Sequence, residues 1–154
     1  MDNLISIKNL TIFFNKNNKV VNSVNINIPK GKTVALVGES GSGKTLTALS
    51  ILKLLPNGAK FETGEIIYNK KNIIRSSSKE MEKIRGNKIS TIFQEPMTSL
   101  NPLHTINKQI EEILLNHQKI SYIEAKKKTV QLLHEVGLDS IANRPKLYSY
   151  ELSG

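Results

Sequence analysis

The chain of 154 residues contains no cysteine and no tryptophan, and aromatic residues make up only 5% of it. Without cysteine there is no disulfide framework and no thiolate zinc site, which fits a reducing compartment. No run approaches the ~18 consecutive apolar residues that a membrane-spanning helix needs. The start, Met1-Asp2-Asn3-Leu4, has neither the basic flank nor the apolar centre of a signal peptide, so a cytoplasmic location is expected. Acidic residues are scarce beside basic ones, 13 against 22, for a net charge of +9. That excess does not read as a nucleic-acid surface. Arginine supplies only 3 of the 22 cations, and lysine is as abundant as isoleucine, at 19 each. Lys, Asn and Ile share A/T-rich codons, which explains the bias without a ligand. The lysines form no stripe interleaved with aromatics, and Lys126-Lys127-Lys128 reads as the solvated face of a helix. No nucleic-acid partner is expected.

What the chain does have is Gly38-Glu39-Ser40-Gly41-Ser42-Gly43-Lys44-Thr45, a match to G-x-x-x-x-G-K-[ST]. An apolar stretch, Thr33 to Val37, runs in as an expected strand, and a helix is expected from Leu46 to Leu55. Glycines let the backbone turn tightly and bring its N–H groups to phosphate oxygens. The helix start adds the positive end of its dipole. Lys44 suits the β- and γ-phosphates, and the Thr45 hydroxyl suits Mg²⁺.

Around the loop, alternation at Ile5, Ile7, Leu10, Ile12 and Phe14, a turn cluster at 15–18, and alternation at Val24, Ile26 and Ile28 predict an antiparallel hairpin. Pro29-Lys30-Gly31 turns into the loop strand, Pro56-Asn57-Gly58 is the expected helix stop, and Gly64 to Tyr68 is a further strand. Ser77-x-x-Glu80 predicts a capped short helix ending near Arg85-Gly86. Lys88 to Phe93 reads as a short buried strand. Helices are expected from Thr105 to His117 and from the capping box Ser121-x-x-Glu124 to Gly137, the latter with Val130, Leu133 and Val136 inward. The segmentation expected is an antiparallel β region over 1–30, a P-loop α/β core over 31–95 and a helical subdomain over 96–154.

Beyond the loop, three segments make the chain resemble the ATP-binding subunits of ABC transporters. Phe14 matches the aromatic position that stacks on adenine, with the neighbouring Phe13 as the alternative core residue. Gln94, in Ile92-Phe93-Gln94-Glu95-Pro96-Met97-Thr98-Ser99-Leu100-Asn101-Pro102, resembles the Q-loop glutamine, and that run is similar to the dipeptide, oligopeptide and nickel importer ATPases. Glu151-Leu152-Ser153-Gly154 resembles the start of the signature motif. The resemblance implies an α/β P-loop ATPase fold with an N-terminal antiparallel β subdomain and an inserted helical subdomain. It implies ATP and Mg²⁺ as cofactors, with Lys44 and Gln94 catalytic and Thr45 and Gln94 on the metal. It further implies that Leu152, Ser153 and Gly154 act in trans on a second ATPase subunit. The partners implied are membrane permease subunits, with the protein peripheral on the inner face of the membrane.

The resemblance also implies parts that these residues do not supply: a Walker B aspartate, a general-base glutamate and a switch histidine. No acidic residue follows a run of four apolar ones, and His104, His117 and His134 lie in the helical region. The expectation is therefore a fragment that grips nucleotide with little or no turnover. A catalytically dead remnant, a non-transport ABC-type ATPase and an unrelated P-loop kinase are the alternatives.

Overall fold

The computed structural model describes residues 2–15, 18–95 and 99–152. The described chain forms two compact units, Met1–Arg85 and Gly86–Gly154.

The first unit is built on β1 (Asn3–Phe14), β2 (Asn18–Pro29), β3 (Ala59–Tyr68) and the short β4 (Lys71–Asn72). All pairings are antiparallel, in the order β2-β1-β3-β4, so the first strand is central. Its buried residues switch phase, from Ile5 and Ile7 to Leu10 and Ile12. One extra residue near Asn9 causes the switch. Three steps along β1, Ile7 to Leu10, match two along β2, Ile26 to Val24, and the same mismatch recurs against β3. Asn9 takes a left-handed conformation, φ 47°, and its N–H donates to Asn25 Oδ1 at 2.9 Å. Gly64 sits opposite, where a Cβ would lie 2.6 Å from both Asn9 O and Leu10 Cα. Only glycine admits that approach.

The helix after the glycine loop, α1 (Lys44–Ile51), starts two residues earlier and stops sooner than expected. Pro56 does not end it. Lys53 adopts φ 53°, the Lys53 N–H donates to Ser50 O at 3.0 Å, and the Leu54 N–H to Leu49 O at 3.0 Å. This is a Schellman stop with lysine in the place usually taken by glycine. The cost of the left-handed lysine is offset by side-chain bonds. Lys53 Nζ donates to Ser76 O at 2.7 Å. The Arg85 guanidinium donates to Leu52 O at 2.8 Å and Lys53 O at 3.2 Å, placing a cation on the negative helix end. Arg85→Ala is expected to lower the unit's stability by about 1.5–3 kcal/mol, the range for hydrogen bonds to charged groups. A denaturation midpoint unchanged by the substitution would mean that water satisfies those carbonyls equally well.

The short helix α2 (Ser78–Glu82) has the expected capping box at Ser77 and Glu80. A hydrogen bond from Lys71, then the Ser77 N–H, hold the Glu80 carboxyl down at about 2.

Two expected strands are not strands here. Thr33–Val37 and Lys88–Phe93 join no ladder among the described residues. A strand is defined by its partner: among the described residues Thr33–Val37 finds none, and Lys88–Phe93 has a single bridged residue, Ile89, whose carbonyl accepts from the Gly86 N–H at 2.9 Å. Instead of being buried, Ile92 is 96% exposed and Phe93 45%.

The second unit is helical: α3 (Ile106–His117), α4 (Tyr122–Glu135), the short α5 (Asp139–Ala142) and a 3-10 turn, Ser149–Glu151. Ile106, Leu133, Ile141, Ala142 and Leu147 form its core, with Ile110 and Leu152 packed against them. The capping box at Ser121 and Glu124 and the left-handed stop at Gly137 stand where the sequence places them. The inner face of α4 does so only at Leu133. Ala125, Thr129 and Leu133 are buried, whereas Val130 is 36% and Val136 68% exposed. Spacing of four along the stripe, with small side chains at two of its three positions, wins over the three-residue apolar stripe.

Candidate nucleotide-binding site

The glycine loop lies in the first unit, against β2. Gly43 caps α1 with φ 85°, and a Cβ on it would meet Val20 O at 2.6 Å and Val21 Cγ2 at 3.1 Å. The fit depends on hydrogen at that position, because the nearer contact is the Val20 backbone oxygen, which no side-chain rotation moves away. Gly43, Thr47 and Ser50 form the buried side of the helix start. The two hydroxyls are satisfied within the helix, Thr47 Oγ1 donating to Gly43 O at 2.9 Å and Ser50 Oγ to Thr47 O at 2.6 Å. Small side chains thus let the helix N-terminus approach the strand.

A recess of about 200 Å³ opens there, lined by Val20, Gly41, Ser42, Gly43, Lys44, Thr45 and Leu46. The N–H groups of Lys44, Thr45 and Leu46 donate to no carbonyl of the described residues, as the first turn of a helix requires. Lys44 is half-buried. Its ammonium donates to Gly38 O at 2.8 Å, Glu39 O at 2.6 Å and Ser42 Oγ at 3.3 Å, which holds the charge inside the loop. Free amides, a helix dipole and one ammonium converge on a single concavity. That donor set suits a polyphosphate. Thr45 is exposed beside it; Glu39, Ser40 and Gly41 are exposed along the loop, as is Gly38. Val20, whose backbone oxygen sets the seat of Gly43, carries no motif and was invisible in the sequence.

Phe14 ends β1, paired with Asn18 and Ala59. It continues the phase of Leu10 and Ile12 and is half-buried. Phe13 lies on the opposite phase, with the Lys19 ammonium 5.4 Å from its ring centre. It lines a separate recess of about 680 Å³ with Asn15, Gly58, Lys60, Phe61 and Glu62.

The remaining candidates belong to the second unit. Gln94 is exposed in a bend. Pro96, Met97 and Thr98, in the run that carries the resemblance, lie outside the described residues. Beyond them, Gln109 brackets the loop into α3: its amide accepts from Asn101 N at 2.9 Å and donates to Asn101 O and His104 O, both at 3.0 Å. Leu152 is half-buried against the helical core, while Ser153 and Gly154 lie outside the described residues. Among the described residues no group of three or more His, Asp or Glu side chains is placed to hold a metal. No helix there is long and apolar enough to cross a membrane.

A family model described as ABC transporter matches residues 21–154. The chain is 46% identical, over 98% of its length, to the Peptidoglycan transport ATP-binding protein YejF of Agrobacterium fabrum, of which it covers 28%. It is 43% identical over 98% of its length to the Oligopeptide transport ATP-binding protein OppD of Bacillus subtilis, covering 43% of that protein. With AppD, another oligopeptide transport ATP-binding protein of Bacillus subtilis, the identity is 45% over the whole chain and the coverage 48%. The chain thus spans less than half the length of these relatives. Among solved structures, the dimeric post-hydrolysis state of the ATP-binding cassette MJ0796 bound to ADP and Pi superimposes with a TM-score of 0.78 at 26% identity. That match covers 97% of this chain and 63% of the other. The glycine loop is therefore set in a known frame: the chain belongs to the ABC transporter family.

Proposed function

We propose that this chain is the nucleotide-gripping part of an importer ATPase, with peptides as the transported class. The observation that carries the reading is the phosphate recess, with Gly43 seated on Val20 O and the Lys44 ammonium held among loop oxygens. The peptide assignment is supported by the oligopeptide and dipeptide transport names of its relatives. ATP would be held by the loop 38–45, with Lys44 against the β- and γ-phosphates and the free amides of 44–46 beside it. Mg²⁺ would take Thr45 and Gln94 as oxygen donors, which suits a hard cation, and would supply charge neutralisation between phosphate oxygens. Phe14 would stack on adenine. Leu152, Ser153 and Gly154 would serve a second ATPase subunit in trans, and permease subunits would hold the assembly at the inner membrane face.

The base contact gives the discriminating experiment. Phe14→Ala is expected to weaken ATP binding by about 1–3 kcal/mol, the range for stacking on an aromatic side chain, and Phe14→Trp to preserve it. Calorimetry with inorganic tripolyphosphate separates stacking from folding, since that ligand has no base and its affinity should be unchanged. Equal loss for both ligands would make Phe14 a core residue.

A further inference from the structure

We propose that Asn57-Gly58 is a self-modification site: the Asn57 side chain loses ammonia, the residue becomes isoaspartate, and the seat of Phe14 is loosened. Pro56-Asn57-Gly58, which does not stop α1, forms an exposed turn. The Ala59 N–H closes it on Pro56 O at 3.0 Å, and Gly58 has φ 89°, as the third position of a type II turn requires. Of the sixteen asparagines, Asn57 alone is followed by glycine. A residue without Cβ leaves its own nitrogen unshielded from the preceding carboxamide carbon. Among the described residues, neither the Gly58 N–H nor the Asn57 side chain makes a hydrogen bond. Both reacting groups are therefore free. Asn22-Ser23 is the contrast, because the Ser23 N–H is engaged, donating to Thr11 Oγ1 at 3.1 Å.

The step balances with water as its co-reactant. The Gly58 amide gives its proton to solvent, and its nitrogen attacks Asn57 Cγ. A succinimide ring closes as the Cγ–Nδ2 bond breaks, and that nitrogen takes a proton from solvent and leaves as ammonia. Water then opens the ring. Attack at Cγ gives aspartate; attack at the main-chain carbonyl leaves the chain running through Cγ, which is isoaspartate. The product has one extra methylene in the backbone of the turn, and that turn is tied to Phe14. The Asn15 N–H donates to Gly58 O at 3.1 Å, Ala59 pairs with Phe14, and a Cβ on Gly58 would lie 3.8 Å from Phe14 Cε1 and Cζ. A lengthened turn cannot keep all of these, so Phe14 shifts. The consequence for nucleotide rests on the reading of Phe14 as the adenine contact.

The test ages the purified chain at mildly alkaline pH and maps it by mass spectrometry, with an isoaspartyl methyltransferase to label the product. Asn57 is expected to convert before any other asparagine and faster as pH rises, because the Gly58 amide must lose a proton. Asn57→Gln should block the conversion, since glutamine closes only a larger ring. Aged protein is expected to bind ATP at least about fivefold more weakly, the low end of the base-stacking range, with its affinity for inorganic tripolyphosphate unchanged. Asn57→Asp carries the charge without the methylene and should bind ATP as fresh protein does. Conversion at Asn57 no faster than elsewhere overturns the proposal, as does unchanged ATP affinity after conversion or equal weakening in Asn57→Asp. Mass mapping uses no nucleotide, so failure of the modification is separable from failure of the base contact, which Phe14→Ala reports.

Discussion

Lys44→Ala is expected to weaken ATP binding by about 2–4 kcal/mol, a loss of roughly 30- to 1000-fold, on the scale of removing one preorganised charge stabiliser. Two effects add. The polyphosphate loses its nearest ammonium, and the loop loses the group that ties Gly38 O, Glu39 O and Ser42 Oγ together. Lys44→Arg separates them, because a guanidinium keeps the charge but not the compact three-way tie. Titration calorimetry checks the order wild type, Arg, Ala. ATP affinity equal in Ala and wild type would remove the recess at 41–46 from consideration as the phosphate site.

Gly64→Ala is expected to be the most destabilising single-methyl change in the antiparallel unit. The residue has φ 105°, where L side chains are strained, and a new Cβ would sit 2.6 Å from the backbone of the central strand. Strain of about 1–3 kcal/mol and overpacking of about 1–3 kcal/mol together give about 2–6 kcal/mol. The obstruction is backbone on both sides of the bulge, so no rotamer change relieves it. Gly31→Ala is the control: its φ is also positive, at 70°, but nothing lies within 4 Å of its added Cβ. Denaturation curves in which the two variants lose equal stability would locate the cost in φ alone.

What could be read from the sequence divides along the range of the signal. The capping boxes at Ser77 and Ser121 and the stop at Gly137 act over three or four residues, and the structure has them where the residues put them. The glycine loop is equally local, and its motif is read directly from residues 38–45. The stop of α1 was not, because its left-handed residue is Lys53 rather than glycine, and the bonds that make it tolerable come from Arg85 and reach Ser76. The odd-to-even change from Ile7 to Leu10 was read only as alternation, not as a bulge, and nothing local tied it to Gly64, more than fifty residues on. Thr33–Val37 and Lys88–Phe93 have strand composition, and composition alone cannot supply a neighbour. On α4 the apolar residues pointed to Val130 and Val136, while the buried stripe runs through Thr129 instead.

The clasp made by Arg85 and Lys53 bears on how the first unit comes apart. Helices ordinarily fray from their ends at little cost, and α1 is only eight residues long. Its far end is bound to Ser76 and Arg85, at the closing stretch of the same unit, so fraying there means releasing the whole C-terminal part of that unit. The helix carrying Lys44 and Thr45 therefore opens only as part of a larger cooperative event. Its first turn is kept in register by bonds made at the opposite end, from residues outside the glycine-loop motif.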